Sequence, residues 1–191
     1  NILKELAAAT NDISQGELIQ LDAIENLNIS LNKLKKISYF KTGRLFEAAA
    51  RTGALLNKSN KSYLKNISES AKNLGILFQI RDDLLDYSID LKTGKPSYQD
   101  LREGKVTYPF FFAYKNANKK EQKQLRDLLG NKKLNQTAAN KLIIKLDGIN
   151  KTNKLAKKYF DETIEYANKI KKMSIKKEMI KLANIAINRD K

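Results

Sequence analysis

The chain has 191 residues, with 37 Lys or Arg against 21 Asp or Glu, 41% apolar residues and no Cys, His or Trp. That is a single domain of ordinary size, long enough to bury a core. The missing Cys and His exclude most zinc sites, disulfides, cysteine nucleophiles and histidine triads, leaving carboxylates, Lys, hydroxyls, Tyr or a hard oxygen-bound metal for any catalysis. Only two Pro and eight Gly argue against a turn-rich sandwich or barrel and for an all-α protein.

The charge is uneven, +2 over residues 1–100 and +14 over residues 101–191. A basic half suits nucleic acid or an anionic membrane surface. Yet 31 of the basic residues are Lys and 6 are Arg. Arg is the residue favoured for bidentate readout of bases, and no aromatic residues interleave the lysines as a stacking platform. Nucleic acid is therefore not expected as a partner, and membrane contact is expected to be peripheral at most. No stretch of ~18 apolar residues would span a bilayer and no signal-peptide pattern opens the chain, so a cytoplasmic location is the expectation.

Apolar spacing predicts helices in chain order over 1–25, 33–54 and from a cap at Ser59 or Ser62 to about Tyr87. Residues 88–105, with Gly94, Pro96 and Gly104, read as one long loop. Helices follow at 106–117, 119–129, 135–147, 150–172 and 175–188, giving one helical domain over 1–191. Tyr39, Phe40, Phe46 and Phe110 to Phe112 are expected in the core, and Gly75 at a close contact between helices.

The chemistry concentrates between residues 75 and 105. Asp82 and Asp86 are four apart and share a helix face, with Gln79 on the same stripe. Carboxylates crowded on one face repel unless a cation neutralises them, and magnesium, which favours oxygen ligands and phosphates, is the natural one. Asp83 points about 100° away. The loop adds Gly94-Lys95-Pro96 and Asp100-Leu-Arg-Glu-Gly-Lys105. Upstream stand Gly16-Glu17-Leu-Ile-Gln20 and Lys41-Thr42.

These motifs, in this order and spacing, resemble the trans-isoprenyl (polyprenyl) diphosphate synthases, above all the longer-chain bacterial type. The resemblance is strongest over residues 1–115. It implies an all-α bundle around a central cavity. It also implies elongation of an allylic diphosphate, such as farnesyl or geranyl diphosphate, by isopentenyl diphosphate, with Mg2+ as cofactor and a homodimer as the assembly. Asp82, Asp83 and Asp86 match the second aspartate-rich motif and together make up the implied metal site, with Asp82 and Asp86 expected to bind the ion directly or through water and Asp83 expected to act there as a positioning group paired to a lysine. Lys41, Lys95 and Lys105 match the lysines on the diphosphate, and Thr42 the hydroxyl after the first of them. Gln79 matches the amide near the reacting carbons. Phe78, next to Gln79, is expected either in the core or with its ring lining the pocket of the allylic cation.

The first aspartate-rich motif of that family is missing from these 191 residues, and the chain begins at Asn1 without a Met. The expectation is therefore the C-terminal part of such a synthase, lacking its N-terminal helices and inactive alone. The alternatives are a non-catalytic partner subunit of a heteromeric synthase, or a basic helical protein that binds nucleic acid or a membrane surface.

Overall fold

The computed structural model describes residues 2–88 and 97–189. Among these residues the regular structure is helical throughout, with no strand. Helix α1 spans Ile2–Leu21 and α2 spans Leu31–Ser38. Residues Tyr39–Gly43 then form a π-helical turn, which leads directly into α3 over Arg44–Leu56. The long α4 covers Lys61–Leu85. After it come α5 (Gln99–Arg102), α6 (Tyr108–Asn116), α7 (Lys119–Leu128), α8 (Gln136–Lys145), α9 (Gly148–Asn168) and α10 (Met173–Ile187).

The boundaries follow local chemistry. Ser30 caps α2 by accepting from Lys33 N, and Asn118 with Glu121 forms a reciprocal capping box at α7. The cap of α4 is Asn60, which accepts from Tyr63 N, and not Ser59 or Ser62. The single helix expected over 33–54 is divided by the π turn, and the expected loop contains the short α5.

Helix α4 is the spine. It buries Ile67, Ala71, Leu74, Leu77, Ile80 and Leu84. Helix α9 runs antiparallel along it, as three contacts show: Arg81 with Asn153, Ser70 with Thr163 O, and Asn66 with Lys169 O. Leu77 and Ile80 are fully buried, so truncating either to Ala costs about 2–5 kcal/mol. Phe110 and Phe111 are in the core as expected, while Phe46, Tyr39 and Phe112 pack on its edge.

Two glycines let the functional segments meet. Gly75 of α4 lies against the π turn, where an added Cβ would stand 2.6 Å from Gly43 Cα and 3.1 Å from Phe46 Cβ. On the other side, a Cβ on Gly16 of α1 would fall 2.8 Å from Lys41 N. The π turn is therefore clamped between α1 and α4 at close backbone range. The contact expected of Gly75 is present.

Candidate diphosphate and metal site

The site forms where the π turn, the C-terminal end of α4, and residues 97–108 converge. π-Helical turns insert one residue into the helical count and re-aim the side chains that follow. Here the turn carries Lys41 and Thr42. Lys41 Nζ donates to Gln20 Oε1 at 2.7 Å. Thr42 Oγ1 donates to Gln79 Oε1 at 2.7 Å. Gln79 Nε2 in turn donates to Asp83 Oδ1 at 2.9 Å. The Lys41–Thr42 turn is thus bonded on one side to Gln20 of α1 and on the other, through Gln79, to Asp83 of α4. Because Thr42 needs an acceptor in Gln79 and Asp83 needs a donor, the orientation of the Gln79 amide follows from its partners.

Asp83 is buried, and its second oxygen accepts from Tyr108 N at 3.4 Å. Its partners are an amide and a backbone N–H rather than the expected lysine. Burial pushes its carboxyl up to about 7, aided by the charge of Asp100 and opposed by the Gln79 hydrogen bond. Asp86 is half-buried and accepts from Gln99 N at 2.8 Å and Asp100 N at 3.2 Å. Burial and then the Asp100 charge push it up to about 6, against the pull of those backbone donors. Asp82 is exposed and faces Arg189, whose Nη1 is 3.4 Å from Oδ1. The guanidinium of Arg189 also lies over the Phe78 ring, 4.5 Å from its centroid.

Lys105 Nζ sits 2.6 Å from Glu103 Oε2 and 3.3 Å from Asp100 Oδ1. Burial alone would lower its ammonium, but these carboxylates outweigh burial and raise it. Gly104, just before it, has φ 75°, and an added Cβ there would meet Glu25 Cγ at 2.9 Å. Glycine meets both demands of that position, the left-handed backbone and the close approach. Gln20, Lys41, Gln79, Asp83, Lys105 and Tyr108 line one cavity of about 30 Å³. Lys95 lies outside the described residues.

Beside the polar cluster runs an apolar groove of about 350 Å³ between α3, α4 and α10, lined by Leu45, Phe46, Ala49, Leu74, Met179 and Leu182. Phe78 and Phe46 pack ring to ring at 5.7 Å, joining the groove to the site.

The donor set of Asp82 and Asp86 is all oxygen, and at Asp86 the pull of Arg102 and of two backbone N–H groups does not offset burial and the Asp100 charge. That fits a hard divalent cation held partly by phosphate oxygens. Among the described residues no three acidic side chains form a complete metal cage. Asp83 spends both oxygens on protein donors.

The sequence pattern gives Tyr108 and Arg189 no role, and Asp100 is legible only as the start of the motif that ends at Lys105. Tyr108 OH donates to Ser38 Oγ at 3.0 Å, since that hydroxyl already donates to Leu34 O.

The polyprenyl synthetase model matches residues 1–146. The chain belongs to the polyprenyl synthetase family. Among relatives, it is 34% identical over 184 residues to the geranylgeranyl diphosphate synthase of Saccharolobus solfataricus, covering 94% of this chain and 55% of that one. To the octaprenyl diphosphate synthase of Escherichia coli it is 29% identical, covering 100% of this chain and 60% of that one. The polyprenyl synthase of Caulobacter crescentus, solved with calcium and isoprenyl diphosphate, superposes with a TM-score of 0.91 at 29% identity, over 100% of this chain and 59% of that one. The chain thus spans a little over half the length of these polyprenyl synthetases. The all-α isoprenoid-synthase fold expected from the motifs is the fold observed. Among the described residues no helix is long and apolar enough to cross a membrane.

Proposed function

We propose that this chain forms the second-aspartate-motif wall of a prenyltransferase that elongates an allylic diphosphate with isopentenyl diphosphate. The observation that carries the reading is that the Lys41–Thr42 turn is bonded to Gln20 through Lys41 and to the aspartate motif of α4 through the Thr42–Gln79–Asp83 chain, which draws three family motifs around one cavity with Lys105 at its edge. The apolar groove beside Phe78 suits a hydrocarbon tail next to an anionic head.

In the reaction the C–O bond of the allylic diphosphate breaks and its electron pair leaves with the diphosphate. The double bond of isopentenyl diphosphate then forms a C–C bond to the allylic carbon, and a proton is lost from the adduct. Lys41 and Lys105 hold the departing diphosphate as rotatable point charges. Lys95 matches a third such lysine. Asp82 and Asp86 are the residues that would hold Mg2+, and Asp83 positions Gln79. When bound, the ion neutralises charge that develops on the leaving group. Thr42 and Gln79 present oxygen dipoles towards the carbons that carry positive charge, and the Phe78 ring, which lies under the Arg189 guanidinium, would face those carbons only where Arg189 gives way.

The 191 residues alone carry one aspartate-rich motif and one side of the site, so we expect them to release no diphosphate from a mixture of isopentenyl and farnesyl diphosphates. Steady magnesium-dependent release by this chain alone would overturn that. In the full-length protein, incorporation of labelled isopentenyl diphosphate into an apolar product tests the reaction itself. The absence of any such product would refute the reading. A homodimer and a cytoplasmic location belong to the same proposal.

A further inference from the structure

The positive charge is concentrated in space as well as in sequence. Residues 119–158 contain twelve Lys or Arg and three Asp or Glu, giving +9 of the chain's total of +16. They form α7, α8 and the first half of α9. The three helices are tied into one corner: Lys145 of α8 pairs with Glu121 of α7 at 2.8 Å, Lys151 of α9 donates to Asn116 Oδ1, and Asn116 donates to Leu146 O. Lys119, Lys120, Lys123, Lys132, Lys133 and Lys141 are all exposed. Ile144, 56% exposed, stands between Lys141 and Lys145.

We infer that this corner docks the protein on an anionic membrane surface. Lysine suits that role. A compact, strongly hydrated charge on a long stem tracks mobile headgroups, each such residue adding to attraction within a Debye length. An exposed isoleucine amid lysines adds apolar contact at the headgroup boundary. Duplex DNA is the less favoured polyanion, since only Arg126 in this stretch offers a bidentate fork.

The corner also adjoins the mouth of the site. Gln136, at the start of α8, donates to Ser97 O at 3.3 Å, and Gly130 N donates to Leu101 O at 2.9 Å. Segment 97–105 is the one whose backbone caps Asp86 and whose Lys105 lines the cavity. Docking there would set the mouth beside a bilayer, where a diphosphate with a long hydrocarbon tail partitions. That orientation rests on the proposed prenyl transfer, whereas surface binding does not.

The test is co-sedimentation of the full-length protein with vesicles of phosphatidylcholine alone and of equimolar phosphatidylcholine and phosphatidylglycerol. At about 0.1 M salt the mixed vesicles should bind it and the neutral ones should not, and about 0.5 M salt should release it. Substituting Lys119, Lys120, Lys123 and Lys141 together by Gln should weaken binding about a hundredfold. The same charge change at Lys171, Lys172, Lys177 and Lys181 should weaken it several-fold less. A circular-dichroism melt verifies that both variants fold. No binding of the unmodified protein to mixed vesicles, or equal losses in both variants, would overturn the inference. So would tighter binding to a duplex DNA of mixed sequence. Prenyl transfer measured in detergent without vesicles should be unchanged by the corner variant, which separates failure of docking from failure of the proposed reaction.

Discussion

Thr42 and Gln79, 37 residues apart in the chain, meet at 2.7 Å across the contact between the π turn and α4. The contact fixes the amide of Gln79 and, through it, the orientation of Asp83. Thr42→Val removes the donor at nearly constant volume and leaves Gln79 Oε1 without it. Such an unmet hydrogen bond costs about 1–3 kcal/mol, so turnover of the full-length protein should fall about tenfold or more. Thr42→Ser should restore most of it. Equal steady-state rates for the Val variant and the unmodified protein would remove Thr42 from the site.

Asp82 and Asp86 separate function from stability. The Asp82 side chain is 54% exposed and its ion pair to Arg189 is long at 3.4 Å. Asp82→Ala should leave the melt within about 0.5 kcal/mol while cutting turnover by about two orders of magnitude or more. Asp86 also holds two backbone N–H groups of residues 99 and 100. Asp86→Ala should therefore lose activity and about 1 kcal/mol of stability together. Denaturant melts of the two variants check the contrast.

Arg44 is the structural counterpart of this site on its other flank. Its side chain is 8% exposed, with Nη1 2.7 Å from Glu5 Oε1 and Nε 2.8 Å from Asp12 Oδ2. Glu47 lies 3.7 Å away and accepts from Tyr39 OH. The cluster ties α1 to the residue that follows the π turn. Arg44→Met leaves Asp12 and Glu47 without their shared guanidinium, while Glu5 keeps Arg51 at 3.0 Å, and should destabilise the fold by about 3 kcal/mol. A melt within about 1 kcal/mol of the unmodified protein would show that water or other partners replace Arg44.

Gly75→Ala should act on both stability and activity. The new Cβ would collide with backbone at Gly43, which cannot move aside as a flexible side chain can. Overpacking of this kind costs about 1–3 kcal/mol and would spread the π turn from α4, lengthening the Thr42–Gln79 contact. An unchanged melt and unchanged turnover would contradict the clamp.

The buried carboxyls set a pH dependence of definite sign. Asp83 titrates near 3.8 when unfolded and at about 7 in the fold, and Asp86 at about 6. Between these values the folded state holds protons that the unfolded state has released. The contribution of these two groups to stability is therefore greatest below about pH 4 and is lost as pH rises towards about 7, then levels off. Asp83→Asn should flatten that slope. A slope that is the same in the variant would mean that other groups produce it.

Much of this was legible in the sequence, for physical reasons. Apolar spacing located the helices because each buries one stripe, as Leu74, Leu77, Ile80 and Leu84 do on α4. Gly16, Gly43 and Gly75 mark close approach, and of these Gly75 was read so. The π turn was invisible because one extra residue in a turn leaves little trace in a periodic pattern. The Arg44 cluster was missed although it left a signal: Glu5 and Asp12 are seven apart, two turns on one face of α1. The partner of Asp83 could not be read, since a backbone N–H at Tyr108 has no sequence signature. Helix α5 hid in a segment whose Gly and Pro content reads as loop.

The most direct test of the account is the incorporation of labelled isopentenyl diphosphate onto farnesyl diphosphate by the full-length protein, measured with and without Mg2+ and for Asp82→Ala alongside. The account predicts a lengthened, apolar, diphosphate-bearing product that requires the metal and is nearly abolished in the variant. Incorporation that persists without divalent cation, or at the same rate in Asp82→Ala, would contradict the claim that this aspartate face holds the metal and the leaving diphosphate.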